Sequence, residues 1–289
     1  MKKYYHYCSR GLKQDILFAS DEEFIAGMNR IAVCLANNIA MGRAIIIIAF
    51  CLMDNHFHFI LFGREEDCDL FAANYKKLLL MWIAKRRDNS ISEQVEIGHW
   101  FIPQEKVADK IAYVLRNPVA AGLKVIPHGY RWSSAHLMFS DWRPEDYLSV
   151  SELSERAIKR ICNSNISLPK DWLIIKEKFV WPGSYVDVNA AESFYRSTGS
   201  FMFVLNNSNV DKDAAEEMMA GAFSLPDSQV KIKAISMIAR YFGKSQISSC
   251  SAEERGRVAI LLKKELNCNN KQLARILHLR LEDVQVALA

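Results

Sequence analysis

Two apolar runs, Ala44 to Met53 and Phe57 to Phe62, flank Asp54-Asn55-His56 and constrain the fold of this chain more than any other feature. β-Branched and aromatic residues crowd both runs, so they predict two buried strands meeting in a hairpin at Asp54-Asn55. Each is too short to cross a bilayer as a helix. Lys3 to Ser9 alternates as a further strand and is closed by Ser9-Arg10-Gly11. Asp21 then precedes Phe24, Ile25, Met28, Ile31, Ala32 and Leu35 at helical spacing, which predicts a helix ending near Asn37-Asn38. Cys68 to Arg87 has the same period, and His99 to Pro103 reads as a fourth strand. The order β-α-β-β-α-β predicts an α+β unit of the split βαβ, ferredoxin-like kind.

With 289 residues the chain exceeds the usual size of one domain. Half of it is apolar and 24% is charged, the balance of a globular chain and not of a disordered one. We expect three parts: 1–146, the α+β unit; 147–228, a helical and irregular connection without a convincing strand; and 229–289, an all-α, basic bundle. The expected helices of the second part are Ser149 to Arg160 and Asp211 to Ala222. Charge follows the same division. Residues 1–150 carry 18 basic and 17 acidic side chains, 151–230 carry 8 and 11, and 231–289 carry 11 and 5, so the positive field collects at the end. A module of net +6 can draw a polyanion by counterion release, or be a solvated basic surface. The seven cysteines are scattered without a C-x-x-C pair and suit a reducing cytoplasm, where they read as small buried hydrophobes. The opening Met1-Lys2-Lys3-Tyr4-Tyr5-His6 has no apolar signal core, so the expected location is cytoplasmic and no membrane partner is expected.

His56-Phe57-His58 is the sharpest local motif. Side chains two apart on a strand point to one face, so both imidazoles can serve one cation while Phe57 enters the core behind them. A third ligand is needed. The helix Lys106 to Asn117 offers one: Lys106, Lys110, Tyr113 and Asn117 share one arc, with Val107, Ile111, Val114 and Leu115 on another. A tyrosine hydroxyl is a usable nucleophile for phosphoryl transfer when a cation neutralises the phosphate. Asn117 could add an oxygen ligand and Lys110 neutralise phosphate charge, although Pro118 disfavours helical geometry at Asn117. The plain alternative is an amphipathic helix carrying a surface tyrosine.

Leu52-Met53-Asp54-Asn55-His56-Phe57-His58-Phe59-Ile60-Leu61, followed by Tyr113-Val114-Leu115-Arg116-Asn117-Pro118-Val119-Ala120-Ala121-Gly122-Leu123, resembles the IS200-like tyrosine transposases. The nearest likeness is to their branch associated with repetitive extragenic palindromes. Ser9-Arg10-Gly11 with Ile16-Leu17-Phe18, and Tyr130-Arg131-Trp132-Ser133-Ser134, are similar to flanking signatures of that family, and the resemblance covers about residues 1–140. It implies a histidine-hydrophobic-histidine endonuclease and strand transferase acting on single-stranded DNA near a hairpin or palindromic element. His56 and His58 match the metal pair, Asn117 the position completing the metal site, and Tyr113 the nucleophile that forms a 5′-phosphotyrosine link. The implied metal is Mg²⁺ or Mn²⁺, and imidazole ligands lean toward Mn²⁺. Ala120 stands where relatives often carry a basic residue. A homodimer, with the tyrosine of one copy serving the histidines of another, is left open beside a monomer, and the location implied is bacterial and nucleoid-associated.

Near the end, Asn269 to Leu279 and Glu282 to Leu288 resemble a helix-turn-helix in which Leu273, Ala274, Leu277, Val284 and Leu288 hold the angle between helices. Val230 to Phe242 and Ala252 to Leu266 complete the bundle; a helical bundle without DNA binding is the alternative, and Glu282 and Asp283 would repel phosphate. The basic residues expected to contact DNA are Arg10, Lys106, Lys110, Arg116, Lys271 and Arg275. Trp172, Trp181, Tyr185, Phe194, Tyr195, Phe201 and Phe203 could stack on bases or fill a core. The competing functions are a DNA-binding regulator that kept the scaffold and lost catalysis, and a phosphodiesterase that uses water.

Overall fold

The computed structural model describes residues 1–9, 16–87, 95–121, 126–176, 179–207, 227–266, 268 and 270–288. Four strands form one sheet: β1 (Lys3–Ser9), β2 (Ile46–Leu52), β3 (Phe57–Gly63) and β4 (Ile97–Ile102). The order is β2-β3-β1-β4 and every neighbouring pair is antiparallel. Helix α1 (Asp21–Ala40) lies between β1 and β2, and α2 (Glu65–Ala84) between β3 and β4. The Ser20 side chain accepts from the Glu23 N–H and caps α1, whose first turn is acidic and complements the dipole. The protein is thus α+β with an antiparallel sheet.

Alternation along the strands separates two faces. Tyr5 and Tyr7 of β1 reach α2, where their hydroxyls meet Glu65 and Asp69, and Phe59 packs edge-on to Phe71 and Tyr75 of that helix. His6 of β1 and His58 of β3 point the other way, toward Tyr113 of α3 (Val107–Ala120). A turn of tighter helix at Gln104–Lys106 leads into α3. Pro118 sits inside α3 without ending it: the helix continues to Ala120, and the Asn117 carbonyl still accepts from the Ala121 N–H. The expected disturbance at Asn117 is therefore absent; packing against the sheet holds the last turn despite the missing proline donor.

Beyond residue 147 two short strands, β5 (Tyr147–Ser149) and β6 (Leu173–Ile175), pair with each other. The expectation of no convincing strand in 147–228 is corrected: three residues are too few to show alternation. Ser154 caps α4 (Glu155–Cys162), so the expected helix from Ser149 is broken at its start by the turn Val150–Glu152. The helices α5 (Val188–Glu192) and α6 (Thr198–Asn207) follow. One hydrophobic cluster runs from Tyr5 to Leu205, so the described residues of 147–207 pack with the sheet. The expected helix Asp211 to Ala222 lies outside the described residues.

A second cluster, from Val230 to Val284, holds α7 (Asp227–Phe242), α8 (Ala252–Leu266), α9 (Asn270–Leu277) and α10 (Leu281–Leu288). Gly243, at φ +62°, takes the left-handed turn that follows α7. Among the described residues no helix is long and apolar enough to cross a membrane. All seven cysteines lie among the described residues; each is buried and none is in a disulfide.

Candidate functional site

The α3 face of the sheet gathers unusual chemistry for a buried surface. His6, His56, His58 and Asn117 are each at most 4% exposed. His58 sits in β3, and His56 stands just before it, with the two rings edge-to-face at 4.7 Å. Phe57, between them, points into the core and meets Tyr75 edge-on at 4.9 Å, as the strand period requires. Asn55 Oδ1 lies 2.6 Å from His56 Nδ1. An amide oxygen only accepts, so Nδ1 carries the proton and the lone pair of the neutral ring is on Nε2. Metal-binding imidazoles are oriented this way, by a partner on the other nitrogen.

Tyr113 is 2% exposed. Its ring meets both His6 and His58 edge-on, each at 5.7 Å between centroids, and Lys110 Nζ lies 4.6 Å from the centre of its ring. The phenol is thus enclosed against the imidazoles, where the sequence expectation had it displayed beside Lys106. The polar arc of α3 divides. Lys106 is exposed, 4.0 Å from Asp109, while Tyr113 and Asn117 turn into the sheet. Asn117 Nδ2 donates to the Tyr113 carbonyl at 3.0 Å, and the Asn117 side chain also hydrogen-bonds His58. Burial holds the His58 imidazolium well below its ordinary pKa, and the nearby His56, His6 and Lys110 push the same way while the Asn117 bond opposes them. The ring is neutral near pH 7 and has a lone pair to offer.

His6 and Cys8 are the residues that sequence reasoning missed. His6 Nε2 is 3.0 Å from His58 Nδ1, the two rings stacking at 5.2 Å, and Cys8 Sγ is 3.8 Å from His58 Nε2. The signal was available in the i, i+2 spacing of His6 and Cys8 on β1, the same spacing as His56 and His58, but it needs the pairing of Cys8 opposite His58 to acquire meaning. One donor atom from each of His6, Cys8 and His58 lies within 4.8 Å of the other two, a grouping compatible with a metal ion.

The basic residues expected at DNA are spread. Arg10 lies outside the described residues, as does the side chain of Lys271. Arg116 donates from its guanidinium to the Leu205 and Asn206 carbonyls at 2.8 and 2.7 Å and so satisfies the end of α6. Arg275 of α9 is half-buried, and its charge acts on Asp54 in the β2–β3 turn, where burial raises the carboxyl pKa and Arg275 opposes that rise. Glu282 and Asp283 are exposed at the start of α10. Of the downstream aromatics, Trp172, Tyr185, Tyr195 and Phe201 are core residues, whereas Phe203 is 70% exposed.

No family model and no curated protein matches the chain. Among solved structures it is similar to one described as a REP-associated tyrosine transposase bound to a REP hairpin, at 14% identity, over 50% of this chain and 86% of that one, with a TM-score of 0.37. A score of that size is too low for the likeness to bear on function, so the reading of this chain rests on its own side chains.

Proposed function

We propose that this protein cuts and rejoins single-stranded DNA near a hairpin, with Tyr113 as nucleophile. The observation that carries the reading is the meeting of the Tyr113 ring with His58, two residues beyond His56, at 5.7 Å, with Lys110 Nζ 4.6 Å from the centre of the same ring. The Tyr113 phenolic oxygen would attack the scissile phosphorus as its proton passes to solvent or a neighbouring base. The bond from phosphorus to the 3′ oxygen breaks, that oxygen leaves as a hydroxyl, and the 5′ phosphate stays on tyrosine. Return attack by a 3′-hydroxyl restores a phosphodiester and frees the phenol, so rejoining needs no external energy source. Lys110, beside the ring, would neutralise phosphate. A divalent cation, Mn²⁺ or Mg²⁺, held by His56, His58 and Asn117 would supply charge neutralisation at the phosphate.

The strand order with α1 and α2 on one face supports a ferredoxin-like scaffold of the IS200-like tyrosine transposase kind. In the same reading α9 and α10 serve as a helix-turn-helix, and the second hydrophobic cluster supports a separate unit from about residue 229. The packing of Val150 through Leu205 with the sheet favours an end of the first unit later than 146.

The test is incubation of the full chain with hairpin-bearing single strands and Mn²⁺ or Mg²⁺, followed by denaturing electrophoresis. A covalent adduct that Tyr113→Phe abolishes supports the reading, and cleavage that survives Tyr113→Phe replaces it with hydrolysis by water. The near-complete burial of Tyr113 favours a second reading, a DNA-binding protein without catalysis, which binds the same strands and gives no adduct.

A further inference from the structure

We propose that His6, Cys8 and His58 form a thiolate-containing metal site for Zn²⁺ or a similar borderline cation. The inference rests on His6 and Cys8, which the DNA reading does not use; it shares His58 with that reading, so the two cations are alternatives at His58, and it stands if Tyr113 cuts nothing. Strand geometry builds the group. His6 and Cys8 are two apart on β1 and share the α3 face, and antiparallel register sets Cys8 opposite His58. One nitrogen or sulfur atom from each residue lies within 4.8 Å of the other two. Donors bonded at about 2.0–2.3 Å to one tetrahedral ion stand roughly 3.3–3.7 Å apart; here His6 faces Nδ1 of His58 at 3.0 Å and Cys8 faces Nε2 at 3.8 Å, so an ion would take a single His58 nitrogen and draw the three donors together.

The donor types choose the cation. Two imidazoles and a thiol provide no oxygen, so Mg²⁺ and Ca²⁺ are poorly served, whereas nitrogen with sulfur is the set that Zn²⁺ takes. Binding exchanges the Cys8 thiol proton for the metal: the S–H bond breaks, the proton goes to solvent, and the sulfur lone pair forms the bond to the ion. In this structure Cys8 Sγ is 3.2 Å from the Ser9 carbonyl, a contact that loss of the proton would release. Three protein ligands would leave one position of a tetrahedral ion to another donor, and the rings of Trp100 and Tyr113 wall His6 at 5.5 and 5.7 Å.

The experiment is titration of the chelator-treated full chain with Co²⁺ as a spectroscopic substitute for Zn²⁺. One equivalent of Co²⁺ should produce an intense sulfur-to-cobalt absorption that Zn²⁺ abolishes and excess Mg²⁺ leaves intact. Cys8→Ser should remove that band, and His6→Gln should weaken binding by about tenfold or more. Cys250→Ser, in the other hydrophobic cluster, and Tyr113→Phe should keep it. X-ray absorption of the Zn²⁺-loaded wild-type chain should count one sulfur and two imidazole nitrogens, a measurement independent of how the variants fold. The absence of a thiolate band in the wild type, its survival in Cys8→Ser, or an all-nitrogen-and-oxygen shell would overturn the proposal and leave the three residues as a hydrogen-bonded core cluster. Loss of the DNA adduct with the cobalt band intact would count against the nuclease reading alone.

Discussion

The two faces of the same sheet differ more than any two elements of the molecule. Toward α1 and α2, β1 and β3 send Tyr5, Tyr7, Phe57 and Phe59, which pack as an aromatic layer with hydroxyls tied to α2. Toward α3, the alternate positions of those strands send His6, Cys8 and His58. The lesson is that one strand register sets stability and chemistry together. A slip by one residue would carry the imidazoles into the aromatic layer and the rings onto the site.

Substitutions should separate the faces. Phe59→Ala, which empties a fully buried ring position between Phe71 and Tyr75, should cost about 3–5 kcal/mol in urea unfolding. His58→Ala should cost less, about 1–3 kcal/mol from lost hydrogen bonding, while eliminating the DNA adduct and the cobalt band together. Equal losses of stability would erase the distinction drawn here.

Titration should attack the faces from opposite directions. His58 is held neutral in the fold, so the unfolded chain binds more protons below about pH 6.5 and stability falls with acidification of the metal-free protein. Tyr7 and Tyr75 on the opposite face have raised pKa values, in both cases chiefly from burial, with Asp69 adding to the rise at Tyr7. Above about pH 10 the unfolded chain releases those protons first, and stability falls as pH rises. Thermal midpoints across pH should show a flatter acid limb in His58→Gln and a flatter alkaline limb in Tyr7→Phe. Unchanged limbs would show that other groups govern the profile. The smallest effect belongs to the helical bundle, where Arg257→Ala breaks an exposed pair with Glu253 and should leave the midpoint within error.

Most of the sheet was legible because period-two alternation and two apolar runs leave one arrangement that buries them. The histidine pair was legible for the same reason. The enclosure of Tyr113 was not: a helical wheel finds a polar arc but cannot distinguish solvent from a polar patch on a sheet, and here His6 and His58 supply that patch. The contact of Arg116 with the last carbonyls of a helix 89 residues away was not legible, because a positive charge in a sequence motif does not say which acceptors it meets. His6 and Cys8 required cross-strand register, which spacing within β1 does not carry.

Tyr195 donates its hydroxyl to the Ala108 carbonyl at 2.7 Å near the start of α3, and Arg116 bonds the α6 carbonyls near its end. The helix bearing the phenol is therefore gripped at both extremities by chain downstream of residue 190. Cutting the gene after codon 146 would leave a carbonyl and a guanidinium facing water and loosen the tyrosine's seat, so the shortest portable version of this site extends through Asn207.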